Sequence, residues 1–309
     1  MGLDYKSKFL GGMIGCGLGD AIGEMAFHLS RKELLDNRLD HGSEFRYTDD
    51  TAMAIGLAEA IIECGDIVPQ NLGDRFRNNF EHEPWRGYAS GPPTIFSLVN
   101  RKGISYTQAA QSLFHGEGSL GNGGAMRIVP VGLYYYDDKD LYEKAVRSAG
   151  ITHTHPLGKD GAAVQAKAVA EAVKQDPEMK FSYERFIDEL IGFSKTEAIR
   201  FKMELVRDLI RKDASPQEAA ASLGQSVAVH ESMPFAIFSF LRYPSKFKEA
   251  IFCSILNGGD RDTLGAMTGS LSGAYLGTTA IPMEWREKLE NLDLIESLAL
   301  SLFRGRTKS

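Results

Sequence analysis

Apolar and alanine positions recur every three or four residues along most of this chain, which is the spacing of one face of an α-helix. Serine or aspartate residues stand at the start of several such segments and glycine residues at their ends, as helix caps do. The segments with this pattern are 49–65, 105–116, 159–175, 215–224 and 281–303. A short apolar stretch at 249–256 fits a helix or a strand. We therefore predict an all-α fold, a single multi-helix domain.

Two of the predicted helices carry a glycine at every fourth position. The two stripes are Gly11, Gly15, Gly19 and Gly23, and Gly265, Gly269, Gly273 and Gly277. Each interior glycine costs about 1 kcal/mol relative to alanine in a helix, so the stripes need a compensating interaction. Close helix packing, close approach of a ligand, or a membrane helix dimer could supply it. Polar residues such as Asp20, Glu24 and Thr268 argue against a membrane, and we expect these two helices to pack against each other centrally.

The composition is that of a globular protein, with 43% hydrophobic and 25% charged residues and a net charge of −6. No run of Lys or Arg is present, so we do not expect nucleic acid to be the main ligand. The three cysteines form no C-x-x-C motif, and no apolar run of about 18 residues could span a membrane. Acidic residues follow the N-terminal apolar patch too soon for a signal peptide. We expect a cytoplasmic monomer with one domain over residues 1–309.

Two short acidic segments each precede a helix of small residues. The first contains Thr48, Asp49 and Asp50, and the second contains Asp260, Asp262 and Thr263. A single aspartate there would be explained as a helix cap. Two like charges about 4 Å apart repel by about 4 kcal/mol at an effective dielectric of 20, so paired aspartates need a counter-charge. Four carboxylates and two hydroxyls suit Mg²⁺, Mn²⁺ or Ca²⁺ rather than Zn²⁺. We predict that the two segments meet around two divalent ions.

A glycine-rich loop and a pair of histidines are further candidates. The sequence SLGNGGAMR (119–127) cannot form regular structure throughout at low cost. It is either a tight structural loop or a cradle of backbone N–H groups for an anion. Arg127 near its end fits a phosphate ligand or a structural ion pair. His153 and His155 fit structural histidines, or zinc ligands for which no third ligand is in view.

Together, these motifs resemble those of the ADP-ribosylhydrolase (ADP-ribosylglycohydrolase) family. GDAIG, YTDDTAMA, RGYASG, GNGGAMR, THTHPLG and GGDRDT, followed by GSLSGAYLG, occur in the family's order. SLGNGGAMR and FAIFSFLR are similar to the branch that removes serine-linked ADP-ribose and poly(ADP-ribose). The resemblance covers residues 8–303. It implies an all-helical domain with a binuclear Mg²⁺ or Mn²⁺ centre that hydrolyses a glycosidic bond at the anomeric carbon of ADP-ribose.

The resemblance also implies roles for individual residues. The implied metal ligands are Thr48, Asp49, Asp50, Asp260, Asp262 and Thr263. The implied ADP-ribose contacts are Gly87, Phe114, Ser119, Leu120, Gly121, Asn122, Gly123, Gly124 and His153. Phe114 matches a position that contacts adenine, and the glycine loop would hold the diphosphate and the proximal ribose. Two Mg²⁺ ions, or Mn²⁺, are the expected cofactors, and ADP-ribose and ADP-ribosylated protein are the expected partners.

Two positions depart from the family's pattern. Phe27 stands where the family commonly has a catalytic glutamate, and Leu120 stands where the serine-directed branch has an aromatic residue that stacks on adenine. Glu24, one helical turn before Phe27, and Asp49 are the predicted catalytic carboxylates. Three functions stay open: hydrolysis of serine-linked or O-acetyl ADP-ribose, hydrolysis of arginine-linked ADP-ribose, and a catalytically silent ADP-ribose-binding or structural role.

Overall fold

The computed structural model describes residues 3–35 and 44–306. Within these residues the secondary structure is helical apart from two isolated β-bridges, Phe45 with Leu289 and Gly121 with Ala228, which confirms the all-α prediction. The α-helices are α1 (Tyr5–Met25), α2 (Arg31–Leu35), α3 (Asp49–Cys64), α4 (Pro69–His82), α5 (Gly91–Lys102), α6 (Tyr106–Gln111), α7 (Gly123–Met126), α8 (Val129–Tyr134), α9 (Leu141–Ala149), α10 (Pro156–Lys174), α11 (Tyr183–Phe193), α12 (Glu197–Arg211), α13 (Pro216–Leu223), α14 (Val229–Arg242), α15 (Phe247–Ile255), α16 (Arg261–Leu276), α17 (Met283–Arg286) and α18 (Leu292–Arg306). The predicted domain, 1–309, includes residues outside the described part.

The predicted helix boundaries at polar caps and glycines are largely confirmed. Thr48 is the N-cap of α3, and Gly65 ends that helix in a left-handed conformation with φ 67°. The Ser215 hydroxyl accepts a hydrogen bond from the Glu218 N–H, and the Glu218 side chain accepts one from the Ser215 N–H, which forms a capping box at the start of α13. The ambiguous stretch at 249–256 lies almost wholly in α15 and is helical.

The predicted helix over 105–116 is wrong at its C-terminal end. Ser105 caps α6 as expected, but the helix stops at Gln111. The chain then turns through Phe114 and His115, which have positive φ angles of 52° and 58°. Left-handed conformations are uncommon for residues other than glycine, so the surrounding structure holds this turn against its local preference. The turn presents Phe114 at the surface.

The two glycine stripes face each other at the centre of the molecule. α1 and α16 are antiparallel, and each packs more extensively on the other than on any third helix of the described residues. A Cβ atom added to Gly15 would overlap the Gly269 carbonyl oxygen, and one added to Gly269 would overlap that of Gly15. The predicted packing of the two helices is therefore confirmed, since the two backbones approach as closely as only glycine permits.

This packing fixes the position of the second acidic segment. A Cβ atom on Gly23, near the end of α1, would lie 2.6 Å from the Asp262 Cα atom in the first turn of α16. The other helices surround this pair and share one continuous hydrophobic core with it. None of the helices formed by the described residues is long and apolar enough to cross a membrane.

Candidate active site

The first acidic segment is held in place by Asp20 of α1. The buried Asp20 carboxylate accepts hydrogen bonds from the N–H and hydroxyl of Thr48, at 3.0 and 2.9 Å. It also accepts them from the N–H and hydroxyl of Thr51, at 3.0 and 2.6 Å. Burial raises the pKa of Asp20 to about 6 against the opposing effect of these hydrogen bonds. Sequence reasoning did not place Asp20 in the site, although an aspartate inside the otherwise apolar GDAIG segment was a signal for it.

Both acidic segments reach one cavity, the inner cavity, which has a volume of about 280 Å³. Its lining includes five of the six predicted metal ligands: Asp49, Asp50, Asp260, Asp262 and Thr263. Thr48 lies behind them and does not line this cavity, because its hydroxyl donates to Asp20. The carboxylates come from the first turns of α3 and α16, where the helix dipole favours negative charge.

The carboxylates of the inner cavity are buried against one another. Burial, together with the Asp20 charge, raises the pKa of Asp49 to about 7. Burial, together with the Asp260 charge, raises the pKa of Asp262 to about 8. The pKa of Asp50 is also well above its usual range, for the same two kinds of reason. Mutual repulsion in a desolvated site is the expected signature of carboxylates that bind cations.

Two oxygen atoms of this cluster have no hydrogen-bond partner. They are Oδ1 of Asp50 and Oδ1 of Asp262, and both are buried. Orphaned carboxylate oxygens and an all-oxygen donor set fit hard divalent cations. In residues 3–35 and 44–306, however, no three His, Cys, Asp or Glu side chains are close enough to hold a metal ion as they stand.

The glycine loop is tied to the second acidic segment through Asn122. Its Nδ2 atom donates a 2.6 Å hydrogen bond to Asp260 Oδ2 and a 3.1 Å bond to Ser232 Oγ. The Asn122 backbone N–H donates to the Val227 carbonyl at 2.9 Å. The loop and the acidic cluster are thus parts of one rigid arrangement.

Of the two interpretations of this loop, the structural one describes half of its amides, and the other half have N–H groups that an anion could accept from. The Gly121 N–H is bound to Ser119 Oγ at 3.1 Å, and the Asn122 N–H to Val227. Gly123 and Gly124 begin α7, so the helix itself supplies no carbonyl for their N–H groups. Gly123 lines the inner cavity, whereas Gly124 packs against Ala149 and Ala162 and does not.

His153 and Arg127 brace the glycine loop from beneath. Arg127 is fully buried and donates to the Gly123 carbonyl at 2.9 Å and to Thr152 Oγ1 at 2.7 Å, so it is a structural partner of the loop. Thr152 Oγ1 lies 2.8 Å from His153 Nδ1. The Thr152 hydroxyl, which accepts from Arg127, also lies 3.4 Å from the Ala149 carbonyl, so it links the His153 ring to the buried guanidinium and to the backbone. Burial, with the Arg127 charge, lowers the pKa of His153 to about 3 and keeps the ring neutral.

The inner cavity also has apolar residues in its lining. Phe114, which is 60% exposed, Val227 and Pro92 line it. Gly87, Ser119, Gly121 and Asn122 line the cavity as well, as predicted, but Leu120 does not. The Leu120 carbonyl instead accepts a hydrogen bond from the Val229 N–H. Sequence reasoning did not identify Val227, since an isolated valine in a loop carries no pattern.

Glu24 lies outside the inner cavity, in a neighbouring one of about 450 Å³, the outer cavity. Gly87 and Asp262 line both cavities, and Thr48 lines the outer one. Glu24 Oε1 lies 3.5 Å from Nε2 of His28, which follows the end of α1. Phe27 is 48% exposed and lies beneath the Arg261 guanidinium, 5.5 Å from its ring centre.

This combination of an all-α fold with two acidic helix starts around one cavity has counterparts among known proteins. The family model described as ADP-ribosylglycohydrolase matches residues 1–309. The chain therefore belongs to the ADP-ribosylglycohydrolase family, and it is a glycohydrolase.

Individual relatives agree with this assignment over nearly the full chain. The chain is 33% identical to ADP-ribosylhydrolase ARH3 of Mus musculus, over 96% of this chain and 91% of that protein. It is 25% identical to ADP-ribosyl-[dinitrogen reductase] glycohydrolase of Rhodospirillum rubrum, over 94% and 92% of the two chains. A solved structure titled ADP-ribosylglycohydrolase-related protein complex has the same fold, with a TM-score of 0.74 and 24% identity over 98% of this chain and 99% of that one.

Proposed function

We propose that this protein hydrolyses the glycosidic bond at the anomeric carbon of ADP-ribose, in serine-type protein linkages, O-acetyl-ADP-ribose and poly(ADP-ribose), as a cytoplasmic monomer that uses two Mg²⁺ ions. One observation carries the proposal: carboxylates, neutral donors and apolar residues together line a single cavity. The similarity to proteins named ADP-ribosylhydrolase supports it.

The inner cavity offers a distinct surface to each part of ADP-ribose. Phe114 and Val227 provide apolar contacts for the base. The His153 ring and the N–H of Gly123 can donate to the diphosphate. Both of these donors are neutral. They therefore add no positive charge that would compete with metal ions for the neighbouring carboxylates. The ribose that is released would then lie beside the carboxylates.

The carboxylates would hold the metal ions and stabilise the reacting sugar. Asp49, Asp50, Asp260 and Asp262, with Thr48 and Thr263, are the candidate ligands. When bound, two divalent cations would supply positive charge that orients the ribose hydroxyls and activates water. Asp49 at the inner cavity and Glu24 at the outer one are the candidate general bases. A negative site also favours the oxocarbenium-like transition state of glycoside hydrolysis.

A catalytically silent ADP-ribose-binding protein is the second candidate. Phe27 stands at the family's glutamate position, its ring lies beneath Arg261, and Arg261 also hydrogen-bonds the Ala26 carbonyl. These contacts hold the end of α1 with no carboxylate at residue 27. Glu24 faces the outer cavity, so it could take the place of the family's glutamate only from that cavity.

A release assay on defined linkages separates these functions. Purified protein would be given serine-linked, arginine-linked and O-acetyl ADP-ribose, each with Mg²⁺ and with a chelator. We expect release from the serine and O-acetyl compounds that stops on chelation and returns with Mg²⁺ or Mn²⁺. ADP-ribose binding without release from any linkage would support the silent protein, and full release after demetallation would contradict the metal requirement.

A further inference from the structure

The proposed ADP-ribose site lies in the inner cavity, and the outer cavity adjoins it. It meets the inner cavity at Gly87 and Asp262, which line both. Gly87 has a φ of +87°, which favours glycine, and a Cβ atom there would lie 3.8 Å from Asp49 Oδ1. No side chain therefore stands on this part of the boundary. A substrate whose scissile bond lies at this boundary can extend into both cavities.

The α4–α5 loop forms the boundary between the cavities. Trp85 and Arg86 face the outer cavity, and Ala89 and Ser90 face the inner one. Arg86 anchors the loop, because its guanidinium donates to the Tyr47 carbonyl at 2.9 Å. Ion pairs with Glu83 and Glu290 hold the same guanidinium. The boundary is thus fixed to the segment that leads into the first acidic segment.

The lining of the outer cavity is acidic. Among the residues that the structure describes, four glutamates and Asp262 line it, against two arginines. The Arg86 charge is already bound by Glu83 and Glu290, and Arg46 pairs with Glu44 at 3.3 Å. The remaining excess of carboxylates favours a cationic ligand, since complementary charge steers and selects partners.

The exposure of the Trp85 side chain is a second feature of the outer cavity that indicates a ligand. Its side chain is 72% exposed at the edge of the outer cavity, whereas Trp285, the second tryptophan of the chain, is buried. Tryptophan is the aromatic residue whose face binds lysine or arginine side chains best. Acidic groups and an exposed indole in one cavity are the two components of such a site.

We propose that the outer cavity binds the polypeptide that carries ADP-ribose and selects a lysine or arginine next to the modified residue. The cation would lie against the Trp85 ring, with Glu24 and Glu44 nearby. This inference rests on the proposed function, which places the released ribose at the boundary of the two cavities. A substrate without a polypeptide, such as O-acetyl-ADP-ribose, would leave this site unused.

A comparison of peptide substrates tests the inference. Two peptides would carry ADP-ribose on the same residue, with the linkage that the enzyme releases, and would differ only in lysine or glutamate neighbours. We expect kcat/KM to be about fivefold higher for the lysine peptide, as for one partly exposed charge contact. Glu44→Lys should reduce this preference to about unity. Glu184→Lys is the matched control, because Glu184 is equally exposed in an ion pair with Arg211, and it should keep the preference.

A binding measurement separates this inference from the proposed function. Acrylamide quenching of tryptophan fluorescence reports mainly on Trp85, and a Trp85→Phe variant gives its share of the signal. We expect the unmodified lysine peptide to protect Trp85 and the glutamate peptide not to. The inference would be overturned, and the proposed function kept, by three results together. These are release of O-acetyl-ADP-ribose, equal kcat/KM for the two modified peptides, and no protection of Trp85 by the lysine peptide. Protection without release from any substrate would support the peptide site and overturn the proposed function.

Discussion

The side chains of Asn122 and Asp260 share a 2.6 Å hydrogen bond, although the two residues are 138 positions apart in the chain. Asn122 belongs to the glycine loop and Asp260 to the second acidic segment, so this bond connects the predicted diphosphate-binding and metal-binding parts of the site. It is also a charge-assisted bond, which is stronger than one between neutral groups.

We expect Asn122→Ala to lower the free energy of unfolding by about 1–3 kcal/mol, because it removes a donor from the half-buried Asp260 carboxylate. In a double-mutant cycle with Asp260→Ala, measured by urea unfolding without metal, the two effects should be non-additive. The control pair combines Asn122→Ala with Asp66→Ala, since Asp66 instead pairs with Lys144. If the changes in the free energy of unfolding are additive in the Asn122–Asp260 cycle as well as in the control cycle, the bond does not couple the loop to the acidic segment.

The glycine stripes predict opposite results for two similar substitutions. Gly269→Ala on α16 should lower the free energy of unfolding by about 3 kcal/mol or more, because its methyl group would overlap the Gly15 carbonyl. Gly192→Ala on α11 should raise it by about 0.5 kcal/mol, because a Cβ atom there meets nothing within 4 Å and alanine favours the helix. Chemical denaturation of both variants checks this. A tolerated Gly269→Ala would contradict the close packing of α1 and α16.

The raised carboxyl pKa values predict how stability depends on pH. The pKa values of Asp49 (about 7) and Asp262 (about 8) in the folded protein exceed the unfolded value of about 3.9. Their contribution to stability is therefore fully present below about pH 4 and is lost as pH rises through 7 and 8. With a chelator present, the melting temperature should be higher at pH 5.5 than at pH 8.5.

With Mg²⁺ in place of the chelator, the melting temperature should instead be higher at pH 8.5 than at pH 5.5. The reason is that Mg²⁺ binds the deprotonated carboxylates, and binds them only in the folded protein. Asp262→Asn should reduce the pH dependence of the melting temperature in the presence of chelator. It should also reduce the increase in melting temperature that Mg²⁺ causes. Asp213→Asn, at an exposed position, is the control that should change neither. An increase with Mg²⁺ that is unchanged in Asp262→Asn would place the ions elsewhere.

The contact between Gly123 and His153 predicts a loss of ligand binding without a loss of metal binding. A Cβ atom on Gly123 would lie 2.6 Å from His153 Cε1, so Gly123→Val must displace the loop or the ring. ADP-ribose affinity, measured by calorimetry, should fall at least tenfold (about 1.4 kcal/mol). The Mg²⁺-induced increase in melting temperature should be largely kept. If both are lost while Gly192→Val behaves normally, the loop serves only to maintain the fold.

Glu24→Gln keeps the size of the side chain and removes the candidate base. Turnover should fall roughly 10²-fold, with ADP-ribose affinity nearly unchanged, as for the loss of a general base. Glu59→Gln is a suitable control, because Glu59 lies on α3 in an ion pair with Arg75. Unchanged turnover in Glu24→Gln would leave Asp49 as the remaining candidate.

The parts of the fold that local pattern determines could be predicted from the sequence. Helix positions follow from apolar spacing and caps, and the pairing of α1 with α16 follows from the cost of the two glycine stripes. The acidic segments could be placed together because repelling aspartates need a common counter-charge. Each of these inferences depends on residues that are close in sequence or on one strong physical conflict.

The parts that depend on tertiary contacts could not be predicted. Asp20 acts through Thr48 and Thr51, which the sequence does not connect to it. The two sides of the α4–α5 loop face different cavities, and nothing in RGYASG distinguishes them. Leu120 and Gly124 belong to the glycine loop but point away from the cavity, because the bridge to Ala228 and the start of α7 set the backbone direction.

The pairing of α1 with α16 also determines when the site can form during synthesis. At about 5–20 residues per second, roughly 12–50 s pass between the emergence of α1 and that of α16. Until then α1 lacks its main partner, and its glycines make it a weak helix alone. The active site is therefore among the last parts of the molecule to form. In refolding followed by pulsed hydrogen exchange, the amides of α1 should gain protection together with those of α16 and not before them.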